Sequence, residues 1–354
     1  MSALVVTPAY ADSSEPTGIA ALQTYNLVVL GNLTSSSEVE GRTFVGGNLS
    51  GNSSNYLISS SAASSGTSSP VPGLTVVGNV TGGAKNLDNG SGAYVGGNVD
   101  SGFNLNGAVQ TVKVGGTISN TNVNANTVIS GLDSSNPSFA STLTQYGSQM
   151  ASSMKTLSLE LSQETANSTL TVNGSTGTFN AVPDAHGLAV FNITASTLGQ
   201  ISQIQFNANG ADTVVVNVTG STVALNQNFL GGTNNLGQHV IWNFPDATTL
   251  SLSSAWGGSV LAPLANAQTS NYIQGSAVFG SLTQNGEMHV GTYAGDYLPE
   301  TSPSDPGSSS SSSSSGGSSS SGGATQVPEP GTLGLLGLAA GALLMRRRRV
   351  RAAG

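Results

Sequence analysis

Charge is what this sequence has least of. Asp, Glu, Lys and Arg together make up 7% of its 354 residues, against roughly 25% in an ordinary soluble domain. Cysteine is absent, which excludes disulfides and Cys-ligated metals and is compatible with any compartment. Histidine occurs three times. Upstream of the C-terminal tail the only cationic side chains are Arg42, Lys85, Lys113 and Lys155, whereas every acid except Glu329 lies there. A body so poor in cations cannot displace counterions from phosphates, which argues against nucleic-acid binding. Calcium loops of the DxDxDG or acidic nonapeptide kind are missing, as is a P-loop, and "VGGNV" is not the GxGxxG of a dinucleotide site.

What the chain has instead is 47 glycines, with Ser, Thr and Asn at most polar positions. Such a surface is wetted by hydroxyls and amides, which suits an extracellular β-protein. A repeat appears early: Val29-Leu30-Gly31-Asn32, Val45-Gly46-Gly47-Asn48, Val77-Gly78-Asn79, Val95-Gly96-Gly97-Asn98 and Val114-Gly115-Gly116-Thr117. The last residues of these units are 16, 31, 19 and 19 apart, and the long interval holds the Ser-rich stretch 59–69, read as an extruded loop. A short strand ending in Gly-Gly-Asn about every 20 residues is what a coil of stacked strands needs. Glycine takes corner conformations at little steric cost, and Asn tolerates the left-handed region or bonds neighbouring backbone. The competing reading is hairpin turns of a β-sandwich.

One segment changes period. From Asn136-Pro137 to about Glu164 the apolar residues Phe139, Leu143, Tyr146, Met150, Met154, Leu157 and Leu161 step by three or four, which is a helical stripe. Asn136 is the expected N-cap and Pro137 the first helical residue. The stripe is expected to pack along the solenoid rather than to line a ligand groove. Strands return after it, and Val260-Leu261 and Val278-Phe279, about 18 residues apart, suggest that the coil resumes.

Candidate chemistry is thin. His186, His239 and His289 lie in no HxxxH, HExxH or triad-like context. Glu287 and His289 in "GEMH" share a strand face at i and i+2, and so do Glu38 and Glu40, but two ligands do not make a metal site and a carboxylate pair needs a cleft to hydrolyse a glycosidic bond. Glu40 with Arg42 reads more simply as a surface ion pair. No catalytic residue, metal ligand or cofactor is assigned.

The two ends read as addresses. Ser2 to Ala11 is short and apolar and closes in Ala9-Tyr10-Ala11, the small-x-small pattern of a signal peptidase site. It is read as the back half of a secretory signal. Residues 299–326 include eight consecutive serines, Ser308 to Ser315; a flexible coil of that length reaches about 30 Å. The tail then runs Val327-Pro328-Glu329-Pro330, an uncharged stretch from Gly331 to Met345, and Arg346, Arg347, Arg348 and Arg349. An apolar run this short is marginal for a span, and the arginines hold its end on the cytoplasmic side.

Pro-Glu-Pro, apolar segment and arginine block, in this order at the C-terminus, resemble the PEP-CTERM protein-sorting signal. That resemblance implies export, transient retention in the inner membrane, and processing by an exosortase in an exopolysaccharide-producing Gram-negative bacterium. The body resembles the choice-of-anchor A domain, an ice-binding-like adhesive domain, on Tyr25-Asn26-Leu27-Val28-Val29-Leu30-Gly31-Asn32, Glu40-Gly41-Arg42-Thr43-Phe44-Val45-Gly46-Gly47-Asn48, Ser259-Val260-Leu261-Ala262-Pro263-Leu264-Ala265 and Gly286-Glu287-Met288-His289. Leu264 departs from the family, which more often has Asn there. The resemblance implies a surface or matrix role.

The expectation is therefore a mainly β chain: a β-solenoid (β-helix, ice-binding-like) with one long α-helix packed alongside, plus a short C-terminal transmembrane helix. Its segments are 1–21, 22–298, 299–326 and 327–351. The expected function is that of an exported, non-enzymatic structural or adhesive protein of the cell surface or matrix, with an exosortase and exopolysaccharide or matrix components as partners. The alternative is a solenoid that binds polysaccharide or ice, and a solenoid lyase or hydrolase stands behind both.

Overall fold

The computed structural model describes residues 16–64 and 71–297. The expected N-terminal signal, the linker and the apolar tail helix lie outside the described residues. Among the described residues the chain is mainly β, with long parallel sheets and five helices, none of them long and apolar enough to cross a membrane.

The largest sheet explains the architecture through its strand order. From one end it runs Thr127–Ile129, Thr111–Val114, Ala93–Val95, Leu74–Val76, Thr43–Val45 and Leu27–Val29, and then Ala277–Gln284, Ser259–Thr269, Val240–Asn243, Thr213–Thr219 and Leu188–Thr194. Along this path neighbouring strands are parallel. The chain thus starts in the middle of the sheet, winds out to one end, crosses to the other and winds back until Leu27–Val29 pairs with residues 277–279. The long helix Ser138–Gln163 makes the crossing.

Each turn of the coil has three sides. Leu27–Val29 lies on the first, Leu33–Ser35 on the second and Glu38–Val39 on the third, and the pattern repeats at Thr43–Val45, Leu49–Ser50 and Ser54–Tyr56. The second side continues through bridges from Leu49 to Val80, Val80 to Val99 and Val99 to Ile118. Leu33 pairs with Leu49, so these positions reproduce the intervals of the Gly-Gly-Asn units, each one residue later. The third side is a seven-stranded sheet from Phe103–Leu105 to Trp256–Gly257. A further four-stranded sheet runs from Thr169–Asn173 to Asn228–Leu230, and only its first pair, Thr169–Asn173 with Thr176–Asn180, is antiparallel.

Through the middle of the first side the strands are buried on both faces, hence their apolar runs, whereas the end strand Thr127–Ile129 has no buried residue. Leu27, Val29, Val45, Val76 and Val95 point into the coil. Val28, Phe44, Val190, Val215, Ile241, Leu261 and Val278 point outward into a second core with Met150, Met154, Leu157 and Leu161 of the long helix. The helical stripe therefore packs as expected. The helix starts at Ser138, one residue after the expected first position; Pro137 holds the N-cap position without a side-chain cap, and Asn136 Oδ1 instead accepts from Ser138 Oγ at 2.6 Å.

The resumed coil differs from the sequence spacing by one residue: Val260 pairs with Ala277 and Leu261 with Val278. A one-residue slip exchanges the faces of every side chain, and this register is what sends Leu261 and Val278 to the helix. The first turns of this half are longer, with Ala189 and Val214 paired across 25 positions and Val214 and Val240 across 26. The wider interior is filled by Phe179, Phe191, Phe206, Phe229, Trp242 and Trp256, whose rings meet mostly edge to face, the two Trp centroids 4.9 Å apart.

Candidate ligand faces

With the first side covered by the helix, the second and third sides are what the coil offers to a partner. The third carries the ionisable residues that the sequence singled out. Met288 pairs with Val39, which sets Glu38 beside Glu287 and Glu40 beside His289, although about 250 residues separate them. Glu287 and His289 do share a face: His289 Nε2 lies 2.6 Å from Glu287 Oε2, and the imidazole stacks on Tyr272 with centroids 4.5 Å apart.

Each carboxylate already has a protein donor. Glu38 Oε1 accepts from Asn55 Nδ2 at 2.7 Å and Glu40 Oε2 from the Val290 amide at 2.6 Å. Arg42, expected as the partner of Glu40, donates to the carbonyls of Ala62 and Val71. Asn55, Asn86 and Asn104 extend the Glu38 bond into a ladder of side-chain amides. The other histidines stand apart: His239 Nδ1 is 2.9 Å from the Asp212 carbonyl. His186 lies in a loop whose backbone amides bond Asp184 and hold that carboxyl below its ordinary range, the Leu188 amide foremost. Among the described residues no group of three or more His, Asp or Glu is placed to hold a metal ion.

The second side has a different chemistry. Inward residues such as Leu33, Leu49, Val80, Leu250 and Leu282 are buried there, and the residues between them form two files that run along the coil. In one, Thr222, Thr249, Asn266 and Ser281 are paired in register; Asn32, one position before the Leu33–Leu282 pair, continues the row. Asn48, Asn79, Asn98 and Thr117 follow, each donating its backbone N–H to the side-chain Oδ1 of the Asn one turn back, at 2.8–2.9 Å. In the other file Ser251, Gln268, Thr283, Thr34 and Ser50 are paired in register, and Thr81, Asp100 and Ser119 follow the bridged positions.

Hydroxyls and amides make up nearly all of both files, and Asp100 is their one ionisable side chain. The sequence pointed to the asparagine half of one file through its Gly-Gly-Asn units. It did not point to the rest, because neighbours in a file are 15 to 31 residues apart and the row crosses from Thr34 to Thr283. Leu264 is 48% exposed, within the strand Ser259–Thr269, at the irregularity between Ala262 and Asn266.

Residues 18–290 match the family model of the ice-binding-like adhesive domain, and residues 326–349 match the PEP-CTERM protein-sorting motif. No curated protein and no solved structure matches the chain. Val327, Pro328, Glu329, Pro330 and Arg346 to Arg349 fall within the sorting-motif match but outside the described residues.

Proposed function

Since the chain belongs to the ice-binding-like adhesive domain family and ends in a PEP-CTERM motif, we propose that it is a non-enzymatic structural or adhesive protein of a Gram-negative cell surface or matrix, delivered there through an exosortase. The coarse reading, an exported surface protein, rests on the two matches together. In the finer one, the apolar run behind Pro330 parks the chain in the inner membrane, Arg346 to Arg349 set its orientation, and an exosortase cuts near Val327-Pro328-Glu329-Pro330. The β-solenoid of residues 22–298 is then handed to the exopolysaccharide on the 299–326 tether. The observation that carries this is the co-occurrence, on one chain, of an adhesive domain and a sorting motif.

The experiment is to express the full chain with and without an exosortase and to measure the mass of the exported C-terminus. Wild type is expected to lose its arginine block only when the exosortase is present, and Glu329→Ala to stay in the membrane fraction. Exported protein that keeps Arg346 to Arg349 in both hosts overturns the reading. A ligand-binding solenoid is the second reading, favoured by the nearly uncharged second side.

A further inference from the structure

We propose that the second side of the coil is the ligand face and that its ligand is a neutral, extended polysaccharide, bound along the files rather than in a pocket. The inference deepens the matrix role proposed above and rests on it.

Three observations point to this class of ligand. The first is repetition. Adjacent turns lie about 4.8 Å apart, close to the advance of one ring in an extended sugar chain, so one file presents a polar group to nearly every ring. From Thr222 to Thr117 the row runs for about 38 Å at that spacing.

The second observation is donor direction. The Oδ1 atoms of Asn32, Asn48, Asn79 and Asn98 are held by the backbone of the next turn. This orients each amide, and among the described residues Nδ2 of Asn32, Asn48 and Asn98 has no protein acceptor. The result is a fixed row of N–H donors beside a file of hydroxyls, which matches the hydroxyl and ether oxygens of a sugar. Because the amides are already ordered, little entropy is lost when they bind.

The third is charge. The files hold a carboxylate at Asp100 and no cation, and the body around them carries few cations and many acids. A polyuronate or sulfated glycan would meet like charge with no Lys or Arg to offset it. Apolar ligands find no patch there, since the alternate positions that carry Leu and Val point inward. Each ring gains only a few solvent-exposed hydrogen bonds, each weak because it replaces a bond to water, so affinity has to come from engaging many turns at once.

The test uses the full-length chain and affinity electrophoresis in gels containing mixed-linkage β-glucan or a polyuronate, together with a length series of neutral gluco-oligosaccharides. Retardation by the neutral glucan, little or none by the polyuronate, and tighter binding with each added ring are expected. Thr34→Glu with Ser251→Glu should weaken neutral-glucan binding at least tenfold, while Asn104→Glu on the third side leaves it unchanged. The length series needs no variant, so it decides even if the double variant folds poorly. No retardation by the neutral glucan, stronger retardation by the polyuronate, or wild-type binding by a folded double variant each overturns the proposal. So does thermal hysteresis that the double variant abolishes without any glucan binding, which would give the face to ice. A chain that binds glucan but is not trimmed refutes the sorting route alone, and one that is trimmed but binds nothing refutes this inference alone.

Discussion

At Gly97 the coil leaves no room for even a methyl group. A Cβ there would run into Asn79 Oδ1, as it would at Gly78 and Gly116 into the side chains of Asn48 and Asn98, and at Gly47 it would stand 2.5 Å from Asn32 Oδ1. None of these glycines, nor the asparagines they abut, has a positive φ. Glycine is therefore required by close approach rather than by the corner conformation that the sequence pattern suggested, and Asn acts by bonding the next turn's backbone. Lys85 is a second residue whose role the sequence conceals. Its side chain points into the core with no exposure and donates to the carbonyls of Gly51 and Asn52. Burial lowers its pKa to about 8. Between that value and the ordinary lysine value the unfolded chain holds a proton that the folded chain has shed, so stability rises with pH across this window, by about 3 kcal/mol at most. Tyr56 and Tyr293, pushed up to about 12 by burial, act oppositely: above pH 10 the unfolded chain loses protons that the folded one keeps, and stability falls. Thermal melts should show a maximum near pH 10 in wild type, and Lys85→Met should lose the rise from pH 8 while keeping the fall. A rise that survives in the variant would assign it to another group.

At the scale of elements, the long helix is fastened by polar as well as apolar groups. Asn192, Asn217 and Asn243 sit in register on three first-side strands. Asn243 Nδ2 donates to the Ser158 carbonyl and to Asn217 Oδ1, both at 2.8 Å, its Oδ1 accepts from Ser158 Oγ at 2.6 Å, and Asn217 Nδ2 donates to the Leu161 carbonyl at 2.8 Å. Earlier in the helix Gly147 lets it lie close, a Cβ there standing 3.3 Å from Val77 Cγ2. Asn243→Ala would leave the Ser158 hydroxyl and the Asn217 carbonyl unpaired inside the interface. With each such group costing about 1–3 kcal/mol, a loss of about 2–6 kcal/mol in denaturant unfolding is expected; below 1 kcal/mol the clamp contributes little. The apolar stripe of this helix was legible because a period of 3.6 shows in one segment. The amide clamp was not, since three asparagines 25 and 26 positions apart form no local pattern.

At the scale of the whole molecule, the two halves of the chain wind in the same direction along the coil, and the end of the second meets the start of the first at one seam. Asn26, 1% exposed, fastens it: Nδ2 donates to the carbonyls of Gly275 at 2.7 Å and His289 at 2.9 Å, and Oδ1 accepts from the Gly41 amide at 3.0 Å. In a stacked coil, cooperativity passes from turn to turn through nearest neighbours, so a weakened seam should uncouple the halves. Asn26→Leu is expected to convert one unfolding transition into two, with early amide-hydrogen exchange at residues 27–29 and 277–279. A single, merely shifted transition would mean that the long helix alone couples them.

Much of this organisation can be read locally. Period and steric demand act over a few residues, so the Gly-Gly-Asn units mark the turns of the first half with their true intervals, and the stripe from Phe139 to Leu161 marks the helix. The scarcity of charge and the two address-like ends were likewise sufficient for the expectation of an exported β-protein. Tertiary structure alone decided what depends on stacking: the crossing that brings strand 277–279 beside strand 27–29, the register that turns Leu261 and Val278 toward the helix, the meeting of Glu38 and Glu40 with Glu287 and His289, and the two polar files of the second side. Each of these places residues from different turns side by side, and a residue's neighbour in the next turn is set by coil circumference and register, which no short stretch of chain encodes.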